Sequence, residues 1–154
     1  AQLDRFLMRI SLGYPDFEEE LAVIEQQEQA HPIESLESVA GPQDIVALQE
    51  AAKGIYVDRM VREYIVHLIE STRGHRDLSL GASPRASLGL FRASQALALV
   101  QDRDYVLPDD IKSLGPSVTA HRIILSPSAR MRGMRAVDVV AELLEEVPVP
   151  GATR

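Results

Sequence analysis

Gly81-Ala82-Ser83-Pro84-Arg85-Ala86 starts a long apolar helix and places a cation where a helix disfavours one. Ser83 suits the N-cap, and Pro84 fits the first helical position, where a missing N–H costs nothing. Arg85 then falls in the first turn, at the positive end of the helix macrodipole, where Asp or Glu is the usual choice. Two readings are open. Arg85 and the free N–H groups of that turn form an anion site suited to a phosphate, or Arg85 is solvated, its head swung away from the helix end.

The surrounding chain is mostly helical. From Pro84 to about Val100, Ala86, Leu88, Leu90, Phe91, Ala93, Ala96, Leu97, Ala98 and Leu99 cover nearly the whole circumference, the pattern of a central helix. Upstream, Asp58 caps a helix carrying Met60, Val61, Tyr64, Ile65, Leu68 and Ile69, with Gly74 expected as its C′ residue and His75 to Leu80 as a polar loop. Earlier helices run from Pro15 to about Gln29 and from Pro42 to Gly54, the latter with Ile45, Leu48 and Ala52 facing inward. His31 to Gly41 reads as a mobile acidic connection. Downstream, Leu107-Pro108-Asp109-Asp110-Ile111 begins a helix that Gly115-Pro116 is expected to interrupt. Arg122 to Ser126 reads as a short strand, Pro127 to Gly133 as a basic loop and Ala136 to Glu146 as an amphipathic helix. Val147-Pro148-Val149-Pro150 then cannot be helical.

The first residues differ. Phe6, Met8, Ile10 and Leu12 alternate with Leu7, Arg9 and Ser11, a period-two strand closed by Gly13-Tyr14-Pro15. A lone strand needs neighbours for its backbone groups. Little downstream reads as a sheet, so the strand is expected to belong to a sheet domain preceding residue 1. The chain also starts without Met, inside a patterned segment, which points to a fragment.

Composition narrows the function. With no cysteine, thiol catalysis, disulfides and thiolate metal sites are excluded. Net charge of −7, three Phe, four Tyr and no Trp argue against broad nucleic-acid binding and base stacking. No stretch has the roughly 20 apolar residues of a membrane span, and no signal peptide opens the chain, so a cytoplasmic location is expected. No GxxxxGK[ST] or GxGxxG loop is present, and His31, His67, His75 and His121 match no metal-ligand spacing. Arg5, just before the strand, is by itself an ordinary charged residue.

Several pieces together resemble one family. Ala1-Gln2-Leu3-Asp4-Arg5-Phe6, the strand and Leu12-Gly13-Tyr14-Pro15 are similar to the end of the core ATPase domain of the MoxR-type AAA+ ATPases. Gly81 to Ala86 is similar to that family's second sensor motif, and Asp102 to Ile111 and Ala120-His121-Arg122 are similar to the segments C-terminal to that motif. The resemblance implies a mostly α fold, an AAA+ helical lid bundle preceded by one orphan strand from the α/β ATPase core. Residues 1–15 would end the core, 16–147 form the lid, and 148–154 an extended tail.

The same resemblance implies roles. Arg85, with Ser83 and Pro84 beside it on the phosphate side, would reach the γ-phosphate of ATP in its own subunit as the second sensor. Arg5 would act as an arginine finger in a neighbouring subunit. ATP and Mg²⁺ would belong to the full-length protein, with none bound to this fragment. Partners would be the missing ATPase core, a homo-oligomeric ring such as a hexamer, and von Willebrand factor A domain proteins served in a chaperone-like way, with no nucleic acid and no membrane span. Lacking Walker A and Walker B, the chain alone is expected to be inactive. The alternative is a free-standing helical interaction module whose arginines bind an acidic partner; a helix-turn-helix DNA reader is weaker, given the acidic balance.

Overall fold

Two consecutive long helices join where a threonine near the end of one meets a glycine just before the other. In the computed structural model, which describes residues 3–27 and 31–149, α3 spans Arg59–Gly74 and α4 spans Pro84–Val100. Thr72 Oγ1 accepts the Ala82 N–H at 2.9 Å and donates to Ile69 O at 2.6 Å, and Arg73 Nε donates to Ala82 O. Gly81 has no room for a side chain: a Cβ there would lie 2.6 Å from Arg73 Cα and 2.7 Å from Thr72 O. The start of α4 is thus fixed against the end of α3 by backbone contact and a buried hydrogen bond.

Residues 3–9 and 49–149 form one unit around a single core. α5 (Pro108–Thr119) packs on α4, and α7 (Ala136–Glu146) packs on α3 and α5. Tyr64, Leu68, Ile69, Leu90, Ile111, Val118, Val139 and Val140 are fully buried. α4 is central but not apolar all round. Gly89, Ser94 and Gln95 are buried, Leu88 is exposed, and Gln95 Nε2 donates to Ile55 O at 2.9 Å. Small residues on α4 let α5 approach, since a Cβ on Gly89 would lie 3.1 Å from Val118 Cγ1.

The expected α-helical boundaries hold for Pro84–Val100, Ala136–Glu146 and α2 (Pro42–Gly54). Elsewhere the structure corrects the sequence reading. Gly74 is the last residue of α3 and does not adopt a left-handed C′ conformation, because the chain leaves through an extended His75 into a strand. That strand, β1 (Leu78–Leu80), lies inside the expected polar loop and pairs antiparallel with β2 (Ile124–Leu125). α5 passes through Pro116, which sits in its last turn, so the missing N–H costs one bond in a helix held by α4 and α7. The basic loop contains α6 (Pro127–Met131), capped by Ser126, whose Oγ accepts the Ala129 N–H. Its cations are occupied, Arg130 donating to Leu125 O and Arg132 pairing with the buried Asp77, and beyond it Arg135 pairs with Asp138.

Phe6–Leu12 forms no ladder among the described residues. Leu3–Arg5 is a 3-10 turn, and the chain then runs without regular structure to Asp16. Residues 10–48 make the second unit, with α1 (Phe17–Gln26) started by a capping box between Asp16 and Glu19. No described residue of this unit is buried, so Ile45 and Leu48 are exposed rather than inward-facing. The expected helix end at Gln29 and tail residues 150–154 lie outside the described residues.

The joint between α3 and α4 makes a stability prediction. Gly81→Ala should cost about 3 kcal/mol, the upper part of the overpacking range. Thr72→Val, which orphans the Ala82 N–H, should cost about 1–3 kcal/mol. Urea denaturation of the chain measures both, and a wild-type midpoint for Gly81→Ala would contradict the close approach.

Candidate functional site

The helix start that stands out in the sequence is where the cations gather. Ser83 occupies the N-cap of α4 with extended backbone, and Pro84 is the first helical residue. The Ser83 hydroxyl makes no capping bond, although its carbonyl accepts the Ala86 N–H at 2.8 Å. The first turn carries no acidic residue, so its dipole is uncompensated from within the helix. Arg85 is 57% exposed, and its Nη1 donates to Asp4 Oδ2 at 3.2 Å. The two readings of the sequence therefore meet a third fact: Arg85 is solvated on one side and held by a carboxylate 81 residues away.

A second arginine lies beneath the first. Ala120–Arg122 is a 3-10 turn continuing α5, and the Arg122 side chain is only 2% exposed. Its Nη2 donates to Phe6 O at 2.6 Å and Leu7 O at 3.1 Å. Its Nη1 lies 3.8 Å from Asp4 Oδ1 and makes no hydrogen bond. His121 Nε2 is 3.2 Å from both Phe6 O and Arg122 Nε, serving one or the other according to its tautomer. Burial pulls the Arg122 pKa below the ordinary arginine value; Asp4 opposes that shift and Arg85 adds to it.

Arg85 and Arg122 are thus two cations sharing one carboxylate at the positive end of α4. Such an arrangement can accept a further oxyanion, and the exposed Arg85 is the group able to turn toward it. Arg5 is not part of the cluster. It ends the 3-10 turn Leu3–Arg5 and is exposed, one residue beyond Asp4. The structure brings Arg85, Ser83 and Pro84 together and places Arg5 beside, not within, their group. Sequence reasoning did not single out Asp4 or Arg122 as site residues. Asp4 stands beside a charged neighbour, and Arg122 reads as the start of a strand, so neither carries a local signal.

Among the described residues, no group of three or more His, Asp or Glu could hold a metal ion, and no helix is long and apolar enough to cross a membrane.

Residues 70–143, from the end of α3 into α7, match the AAA lid domain family. The Bacillus subtilis protein YeaC is 46% identical over 97% of the chain, which spans 47% of that protein. Chaperone MoxR1 of Mycobacterium tuberculosis is 35% identical over 97% of the chain, which spans 42% of it. Protein MoxR of Paracoccus denitrificans is 30% identical, with 99% of this chain and 51% of that one covered. A crystal structure from Cytophaga hutchinsonii, described as that of a candidate ATPase, superposes with a TM-score of 0.87 at 30% identity, covering 96% of this chain and 48% of that one. The chain spans about half the length of the relatives it matches.

The two arginines should separate on mutation. Arg85→Ala removes an exposed pair and should cost at most about 1 kcal/mol of stability. Arg122→Ala leaves the Phe6 and Leu7 carbonyls without their donor and should cost about 1–3 kcal/mol. It should also accelerate hydrogen exchange at the Arg9 amide, which is bonded to Ser117 O at 2.8 Å. Equal melting temperatures for the two variants would contradict this division.

Proposed function

Because the chain belongs to the MoxR-type AAA+ family and carries that family's helical lid, we propose that it couples ATP hydrolysis to conformational change in a chaperone-like ring. Arg85 is the second-sensor arginine, contacting the γ-phosphate of ATP held by the ATPase core of the same subunit. The observation that carries this reading is the exposed Arg85 at an α4 start without acidic residues, with one carboxylate shared between it and the buried Arg122. A γ-phosphate supplies the negative charge that this helix start lacks.

The chain's residues then divide the work. Ser83 and Pro84 start α4 and so place Arg85 in its first turn. The contact of Thr72 and Gly81 with Ala82 and α3 keeps that helix start from drifting. Arg5 is the arginine finger, stabilising charge on the γ-phosphoryl group in the neighbouring subunit, a contribution of about 10³- to 10⁵-fold in rate. Its exposure at the end of a short turn supports that assignment. Residues 1–15 close the ATPase core; the exposed Ile10 and Leu12 support that reading. ATP and Mg²⁺ are held by the core, and Mg²⁺ offsets phosphate charge there. The assembly is a homo-oligomeric ring, a hexamer, in the cytoplasm, acting on proteins with von Willebrand factor A domains.

In the full-length protein, Arg85→Ala should lower ATP turnover at least 100-fold within its own subunit, a loss of the size expected for one transition-state contact. Arg5→Ala should act on the neighbour, so mixing it with a Walker-A-dead variant restores part of the activity. An Arg85→Ala enzyme with wild-type turnover, or no restoration on mixing, would refute the respective role. The 154-residue chain, having no GxxxxGK[ST] loop, should show no ATP turnover above a mock preparation.

A further inference from the structure

One short segment meets both proposed arginines. Asp4 lies in the middle of the 3-10 turn Leu3–Arg5 and faces the lid, where Arg85 and Arg122 share it. Arg5, the next residue, is exposed. Immediately beyond, the Phe6 and Leu7 carbonyls accept from Arg122 Nη2, and the Arg9 N–H donates to Ser117 O at the end of α5. A guanidinium that is 2% exposed and directs its shortest bond at a main-chain carbonyl holds a backbone rather than a ligand.

We propose that Asp4 and Arg122 are positioning residues that join Arg85 and Arg5 into one unit: Arg122 fixes the backbone just after Arg5, and Asp4 holds Arg85 until a phosphate oxyanion takes its place. This rests on the roles assigned above to Arg85 and Arg5. A carboxylate and a phosphate are alternative partners for the same guanidinium, so Arg85 cannot serve both fully. When Arg85 turns to a phosphate, the turn that carries Arg5 loses one of its ties to the lid while Arg122 keeps the other. The state sensed in one subunit therefore reaches the finger aimed at the next through adjacent residues, with no long pathway through the core. Two arrangements of one short turn, each favoured by a different partner of Arg85, are sufficient for coupling between sites.

Two measurements test it. The first uses the 154-residue chain and inorganic pyrophosphate, read from the Arg85 and Arg122 Nε–Hε signals by NMR. Asp4→Asn should tighten pyrophosphate binding at Arg85 about two- to five-fold, the worth of an exposed ion pair, and Asp4→Glu should return it toward wild type. Unchanged affinity in Asp4→Asn overturns the exchange. The second uses full-length protein mixed with Walker-A-dead subunits. Asp4→Asn and Arg122→Lys should each lower kcat about tenfold or more, as expected for a displaced catalytic group, with the loss appearing at the neighbouring site. Asp4→Asn should lower KM for ATP at its own site. A kcat loss confined to the variant's own site, or wild-type kinetics in both, overturns the proposal. Asp4 is 32% exposed, so Asp4→Asn keeps the fold and carries the test even if Arg122→Lys melts early. Arg85→Ala and Arg5→Ala in the same assay separate the failures. If they leave hydrolysis intact, the underlying roles fall and this inference falls with them; if they abolish it while Asp4→Asn is silent, this inference alone falls.

Discussion

The contact of Gly81 with the end of α3 decides where α4 and the elements packed on it can sit. A Cβ at Gly81 would lie 2.6 Å from a backbone atom, so no side chain fits without separating the two helices. The buried Ala82 N–H has Thr72 Oγ1 as its partner, and a donor left unpaired there would cost about 1–3 kcal/mol. Backbone approach and hydrogen bond therefore select the same register. That register sets where α4 begins, and with it which way Arg85 leaves the helix.

The electrostatics of the site come from the unequal burial of its two arginines. An exposed arginine can exchange partners at little cost, because water takes up whatever the partner releases. A buried arginine cannot, because removing its partners leaves an uncompensated charge. Arg85 is of the first kind and Arg122 of the second. The pairing of Arg122 is incomplete, with one nitrogen lacking a hydrogen bond and its pKa lowered by burial. Asp4 pairs with both, so any change in the partner of Arg85 alters what Arg122 experiences.

Local chemistry was legible in the sequence and long-range chemistry was not. α2 and α4 have their expected boundaries because an early Pro starts each, and α7 because its apolar periodicity runs up to the stop at Val147-Pro148, all signals acting within one helix. β1 and β2 are three and two residues long, too short for alternation to show, and they exist because each is the other's neighbour. Pro116 reads locally as a breaker, and no local rule weighs the packing of α5 against α4 and α7. Arg85 is legible as a misplaced cation, and the alternation at Phe6–Leu12 reads as a strand although no ladder forms there among the described residues. Arg122 was not legible, since its partners at Phe6 and Leu7 are 116 and 115 residues away.

α5 supplies the last link between the helix start and the segment that precedes the lid. Its Val118 lies under Gly89 of α4, its Ser117 carbonyl accepts the Arg9 N–H, and the turn continuing it carries Arg122. Gly115, on the same helix, has no Cβ, and one placed there would lie 3.0 Å from Leu144 Cδ1 of α7. A helix held this closely on two sides is not free to slide, because packed interiors yield in discrete rearrangements rather than small drifts. Relative motion between α4 and the 3–9 segment is therefore confined to what side chains and the short 3-10 turn can do. Arg85 has that freedom, Asp4 is half-buried and shares it in part, and Arg122 has little. Exposure falls from Arg85 through Asp4 to Arg122, so a change of partner at Arg85 meets Asp4 before it meets the buried guanidinium.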